Sequence, residues 1–252
     1  MKKIVWISSY PKSGNTFLRA MLSAFFYSKE GIFKQDYLKN ISEFPRDFFD
    51  FKPKNNFLNE VKEYEKVQKK ISDTDKDVIF LKTHSANLII NETFPTINKD
   101  FTLCSIYIVR DPRNVILSLK NHYNLDIKKS LGLLTNEKNF ISMNNKDLSK
   151  GYTLTLDWAS NYLSWKNQKN ISTIFVKFED LVFEQGKTFK YILNELKKFI
   201  NFEIDQKKIE NVIKTTNFKY LRQLEEKEGF IENKIMGISD SKKFFFNKGP
   251  EQ

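Results

Sequence analysis

The sequence predicts an α/β fold: one domain over residues 1–252, with a central parallel β-sheet flanked by helices. Three observations predict it. Four short stretches, Lys3 to Ser8, Asp77 to Lys82, Thr102 to Arg110 and Ile171 to Lys177, are rich in Ile, Val, Leu or Phe. They run continuously apolar rather than alternating, as strands buried on both faces of a parallel sheet do. Helical spacing fills the intervals, and no repeat or low-complexity linker divides the chain.

The first strand centres on Ile4-Val5-Trp6-Ile7. After Gly14, Phe17, Leu18, Met21, Leu22, Phe25 and Phe26 make one stripe on a helix. The second strand closes on Lys82-Thr83-His84 and the third on Val109-Arg110. Asp111-Pro112 followed by Val115, Ile116 and Leu119 reads as an N-cap, a first-turn proline and a buried face. Further helices are expected near Leu154 to Lys166, Lys187 to Phe199, Gln206 to Lys214 and Phe218 to Lys227. Residues 29–75 and 124–150 show no clear strand and are polar with scattered Phe; they are expected to be insertions covering an acceptor site. Of Phe33, Tyr37, Phe44, Phe48, Phe49 and Phe51, at least half are expected in the core, and the others are candidates for a pocket.

With 42 Lys and Arg against 31 Asp and Glu, the formal charge is +11. Such a balance favours acidic ligands, although much of the lysine serves equally well as surface cover. The charges are dispersed, without the basic block of a nucleic-acid arm, so no nucleic-acid partner is expected. A single cysteine, Cys104, rules out an intrachain disulfide and fits a reducing, cytoplasmic compartment. No apolar run reaches membrane-spanning length, and the apolar stretch after Met1-Lys2-Lys3 is too short for a signal peptide. One Cys and two His are a poor ligand set for zinc, and no metal is expected. Nothing in the pattern indicates oligomeric state.

Between the first strand and the first helix lies Tyr10-Pro11-Lys12-Ser13-Gly14-Asn15-Thr16. A helix N-terminus leaves backbone N–H groups unpaired and carries partial positive charge, so it favours an anion, phosphate above all. Gly14 lets backbone approach that anion, Ser13, Asn15 and Thr16 add donors, and Lys12 adds a full charge. The loop is not the Walker pattern, because its lysine precedes Ser-Gly and no G-K-[ST] follows. On this stretch alone, a tight turn with Lys12 in water remains open.

Three further motifs bear on that choice. They are Lys82-Thr83-His84, then Val109-Arg110-Asp111-Pro112-Arg113-Asn114 leading to Ser118, then Asn247-Lys248-Gly249 after Phe244-Phe245-Phe246. In this order, with the first loop, they resemble cytosolic-type sulfotransferases that use 3′-phosphoadenosine 5′-phosphosulfate (PAPS), and bacterial members in particular. The first and third motifs are specific, and the others gain weight from position. The resemblance implies that Lys12, Ser13, Gly14, Asn15 and Thr16 hold the 5′-phosphosulfate in a P-loop-like turn. It implies that Arg110 and Ser118 hold the 3′-phosphate, joined by Asn247, Lys248 and Gly249. Phe17, Phe178, Thr216 and Phe218 match positions near adenine or the 3′-phosphate. Phe17 stands where many members have Trp, Phe178 where a Tyr is usual, and Asn247 where Arg is common. Many relatives continue for some tens of residues past the last motif; this sequence stops at Gln252.

The resemblance further implies a catalytic set of His84, Lys12 and Lys82. A base of ordinary pKa about 6.5 suits deprotonation of an acceptor hydroxyl near neutral pH. Only His84 and His122 are available; His84 ends a strand, where α/β sites lie, whereas His122 follows a helix. Lys12 and Lys82 would stabilise charge on the departing 3′,5′-ADP, with a solvent-reaching Lys82 as the other reading. Asp111 is read as an N-cap rather than a metal ligand, and Arg113 is left unassigned. The expected acceptor is a small molecule or glycan hydroxyl. Two other classes stay in view: a nucleotide or small-molecule kinase, and a non-enzymatic polyanion-binding module.

Overall fold

A computed structural model describes residues 1–48, 57–141, 153–231 and 244–246. The chain forms two compact units: residues 1–15 with 42–175, and residues 16–41 with 176–252.

The first unit is built on a sheet. Strands β1 (Ile4–Ser9), β2 (Ser42–Glu43), β3 (Ile79–Thr83), β6 (Thr102–Val109) and β9 (Thr173–Lys177) lie in the order β2-β3-β1-β6-β9. The β2–β3, β3–β1 and β1–β6 pairs are parallel, so the predicted α/β class and parallel sheet are present. The short pairs β4–β5 (Ile89–Ile90, Phe94–Pro95) and β7–β8 (Phe140–Ile141, Thr153–Leu154) are antiparallel. Every residue of β1 is buried, as its apolar run Ile4–Ile7 requires. Ile4 and Trp6 of β1, Leu81 of β3 and Tyr107 of β6 share a core with helices α2 (Phe57–Ser72) and α5 (Trp158–Lys166). Trp6 and Tyr107 keep their polar atoms paired there: indole to Thr102 Oγ1 at 2.9 Å, phenol to Asn161 Oδ1 at 2.8 Å. A second cluster joins Tyr10 to Val115 and Leu119 of α3 (Pro112–Tyr123) and Leu134 of α4 (Ile127–Thr135).

The second unit is helical, with α1 (Asn15–Tyr27) entering it, then α6 (Phe178–Phe183), α7 (Gln185–Leu196), α8 (Gln206–Thr216) and α9 (Phe218–Glu228). Its aromatic centre sets the Phe25 ring 5.9 Å from Phe189 and 5.8 Å from Phe202, both edge to face. Phe33 N donates to Thr215 Oγ1 at 3.0 Å, tying the chain after α1 to α8.

The expected strands and helices all form, with ends displaced by a few residues. The helix expected from Leu154 starts at Trp158, because Leu154 belongs to β8 and Asp157 caps the helix by accepting from Ser160 N. Residues 29–75 are not free of strands: β2 joins the main sheet, and α2 supplies core residues Val61, Tyr64 and Ile71. Phe33 and Phe44 are buried and Phe48 packs against the core, whereas Phe49 and Phe51 lie outside the described residues.

Candidate active site

Register brings three motifs to one edge of the sheet. Ser8 of β1 pairs with Thr83 of β3 and with Tyr107 of β6, so all three strands finish together. The Tyr10–Asn15 loop, His84 and Arg110 therefore leave the same carboxyl-terminal edge, where open α/β sheets bind ligands.

The loop is shaped by backbone. Gly14 takes φ 98°, a conformation that a side chain would strain, and Lys12 takes φ 65°. Arg110 Nη1 donates to Lys12 O at 2.9 Å, holding the loop from the end of β6. The Asn15 amide does not project as a free donor: Nδ2 is spent on Ile7 O at 3.0 Å and Ser9 Oγ at 3.3 Å. Ser13 Oγ, in contrast, is buried with no hydrogen-bond partner among the described residues. A buried orphan hydroxyl in a left-handed turn ahead of a helix N-terminus fits an anionic group. Thr16, the second residue of α1, is buried.

His84 follows β3 and is partly buried, with Nδ1 2.8 Å from Ser9 O. A carbonyl can only accept, so Nδ1 carries the proton and the neutral ring keeps its lone pair on Nε2. Asn161 of α5 holds the backbone here, its Nδ2 donating to His84 O at 3.1 Å and Thr155 O at 2.8 Å. Burial lowers the His84 pKa, and the Lys82 ammonium lowers it further; Glu43 and the Ser9 carbonyl oppose them, leaving it at about 4. The ring is thus neutral at pH 7.

Lys82 does not reach solvent. Its Nζ lies 2.9 Å from Glu43 Oε2, in a pair buried on both sides, and Arg46 Nη1 meets the same oxygen at 2.9 Å. Burial alone would raise the Glu43 pKa, but Lys82 and Arg46 outweigh it and hold the carboxyl at about 2. Sequence reasoning missed Glu43 and Asn161. Neither lies in a motif, and only the pairing of β2 with β3 brings Glu43 to Lys82.

The remaining predicted positions divide between the units. Ser118 is half-buried on α3, whose N-cap is Asp111: its carboxylate accepts from Arg113 N at 2.9 Å and pairs with that guanidinium. In the helical unit, the Phe17 and Phe178 rings meet edge to face at 6.4 Å. The Thr216 hydroxyl is internal, donating to Val212 O at 2.7 Å and accepting from Gln185 Nε2 at 3.1 Å. Phe218 packs edge to face on Phe246 at 5.9 Å. The Phe244–Phe246 stretch is gripped by α9: Glu225 accepts from Phe245 N and from Phe246 N, Arg222 Nη1 donates to Phe246 O at 2.8 Å, and the Arg222 guanidinium lies over the Phe244 ring. Asn247, Lys248 and Gly249, which follow directly, lie outside the described residues. Among the described residues no group of three His, Cys, Asp or Glu could hold a metal ion, and no helix is long and apolar enough to cross a membrane.

A parallel sheet whose carboxyl edge carries a glycine turn, an arginine that holds it and a histidine is an α/β arrangement with its loops at the edge where such sheets bind ligands. The chain belongs to the sulfotransferase domain family, whose model matches residues 2–250. Among solved structures it is similar to mouse sulfotransferase SULT7A1 complexed with PAP, at 17% identity and TM-score 0.52, over 88% of this chain and 66% of that one. It is also similar to retinol dehydratase in complex with androsterone and inactive cofactor PAP, at 15% identity and TM-score 0.59, over 98% and 73%. A second retinol dehydratase structure, with retinol and PAP, matches at 14% identity and TM-score 0.56, over 99% and 74%. At these identities the likeness is one of fold, and the chain spans 66% to 74% of the length of these neighbours. A search of curated protein sequences finds no match.

Proposed function

We propose that this protein is a PAPS-dependent sulfotransferase that moves a sulfuryl group to a hydroxyl of a small-molecule or glycan acceptor. The observation that carries this reading is the placement of His84: its Nδ1 lies 2.8 Å from Ser9 O at the sheet edge that also bears the Tyr10–Asn15 loop. Family membership and PAP in three neighbours of like fold support the choice of donor.

PAPS supplies the activated sulfuryl group. Lys12, Ser13 and the N–H groups opening α1 hold its 5′ end, and the orphan Ser13 hydroxyl suits that role. Arg110 and Ser118, with Lys248 and Gly249 beyond the described residues, serve the 3′-phosphate; Phe17, Phe178 and Phe218 serve the base. Thr216, with its hydroxyl already engaged, contributes packing. His84 Nε2 takes the acceptor proton as the new oxygen–sulfur bond forms. The electron pair of the broken bond stays on the 5′-phosphate oxygen, and Lys12 and Lys82 stabilise that charge. The buried free Cys104 supports a reducing, cytoplasmic setting.

Calorimetric titration with 3′,5′-ADP in EDTA, beside ATP with magnesium, tests the donor. Metal-independent binding of 3′,5′-ADP with little for ATP is expected; preference for magnesium-ATP would make the loop a kinase cradle. His84→Ala should lower turnover by about 10²–10⁴-fold and leave 3′,5′-ADP affinity near wild type. Retained turnover removes His84 from the role.

A further inference from the structure

A buried charge cluster joins Lys82, from the Lys82-Thr83-His84 motif, to Glu43 and Arg46, which belong to no sequence motif. Glu43, at the end of the edge strand β2, is the register partner of Lys82 in β3, and Phe44 N donates to Lys82 O at 2.8 Å. Backbone pairing thus fixes the two residues side by side, and their side chains close the contact at 2.9 Å. Lys82 and Glu43 are only 5% and 7% exposed, which makes the pair a costly way to join two strands. Apolar side chains of the same volume would hold β2 to β3 as well or better.

We propose that Glu43 is a positioning residue of sulfuryl transfer, its carboxylate fixing the Lys82 ammonium at the end of β3 beside His84. The proposal rests on the sulfotransferase reading above. Lys82 ends in a flexible four-carbon stem, and an ammonium on such a stem has no fixed direction of its own. Glu43 engages one of its three N–H bonds; the other two are left for the oxygens on which charge develops. Without the carboxylate, Lys82 and Arg46 are two cations at one strand end, and they repel. The carboxylate also acts on the base. Burial first, then Lys82 and Arg46, disfavour a proton on His84, and Glu43 opposes them. The other titratable groups facing this cluster are Asp47, paired with Arg46 at 3.1 Å, and the Tyr123 phenol, which burial first and Glu43 second keep protonated.

Glu43→Gln keeps the shape and removes the charge; Glu43→Asp keeps the charge on a shorter arm. Both are compared with wild type by proton–nitrogen NMR of the histidine rings and the lysine ammonium, after wild-type binding of 3′,5′-ADP has been measured by calorimetry. His84→Gln assigns the two ring signals. In wild type the Lys82 ammonium should give a resolved, slowly exchanging signal that shifts when 3′,5′-ADP and inorganic sulfate are added together. In Glu43→Gln that signal should broaden away, and the His84 midpoint should fall by about one pH unit; Glu43→Asp should restore both in part. If Glu43→Gln does not fold, the wild-type signal decides: a Lys82 resonance indifferent to 3′,5′-ADP with sulfate overturns the proposal. Wild-type 3′,5′-ADP binding with His84 and Lys82 unchanged in Glu43→Gln overturns the proposal alone. Failure of wild type to bind 3′,5′-ADP overturns the sulfotransferase reading and the proposal with it.

Discussion

Two regions of the molecule hold a peptide segment in a set shape, by opposite means. At the sheet edge, strand register does the work: β1, β3 and β6 end together, and the loop, His84 and Arg110 emerge from those ends. In the helical unit, Phe244–Phe246 is held by two side chains of α9, with Glu225 accepting from backbone N–H and Arg222 donating to a carbonyl. The first arrangement rests on backbone pairing repeated along β1, β3 and β6. The second depends on a few side chains one or two turns into a single helix, and it fails when any of them fails.

The sharpest way to break the sheet-edge arrangement is pH. His84 titrates near 6.5 when unfolded and at about 4 when folded. Between those values the unfolded chain binds the proton and the folded chain does not, so stability is full above about 6.5 and is lost as pH falls toward 4. At 1.36 kcal/mol per pH unit the loss is about 3 kcal/mol. Urea denaturation from pH 7.5 to 4.5 should show this slope in wild type, and His84→Gln should flatten it. Glu43, with its folded pKa near 2, contributes only below about 4.5 and does not confuse this window. An equal slope in the variant would mean that the His84 ring is not held as a neutral donor to Ser9 O.

Arg110→Ala comes next. Arg110 holds Lys12 O and is the proposed ligand of the 3′-phosphate. A hydrogen bond to a charged group contributes about 1.5–3 kcal/mol, so 3′,5′-ADP should bind roughly 10- to 100-fold more weakly. 5′-AMP, which lacks the 3′-phosphate, should lose only the smaller share that comes from loosening the loop. Equal losses for both nucleotides would confine Arg110 to its contact with Lys12 O.

These residues show what the sequence could disclose. The strands are legible because each is a continuous apolar run, and the Asp111 cap because its signal lies within three residues. The loop is legible because Gly14 at φ 98° is a demand of local backbone. Glu43 and Asn161 were invisible for a different reason. Glu43 acts on Lys82 39 residues away, and Asn161 on His84 77 residues away. Nothing near either residue in sequence marks its partner. Lys82 was read as reaching either ligand or solvent; the buried carboxylate that actually meets it comes from a strand of two residues, too short to register as a pattern.

The smallest expected effect sharpens the comparison from the helical side. Asn217 caps α9: its Oδ1 accepts from Tyr220 N at 2.9 Å, and its Nδ2 reaches back to Lys214 O at 2.8 Å. Asn217→Ala removes that cap and should cost about 1 kcal/mol. Arg222 and Glu225 lie four and seven residues beyond Phe218, so fraying that runs from the cap past them releases the grip on Phe244–Phe246. Hydrogen exchange at the Phe245 and Phe246 amides should therefore quicken by about fivefold, the factor that 1 kcal/mol represents when those amides are released by opening of α9. The amides of β1, held by register, should not change. Uniform acceleration in both places would mean that the two regions open together and that the distinction between register and side-chain grip has no energetic content.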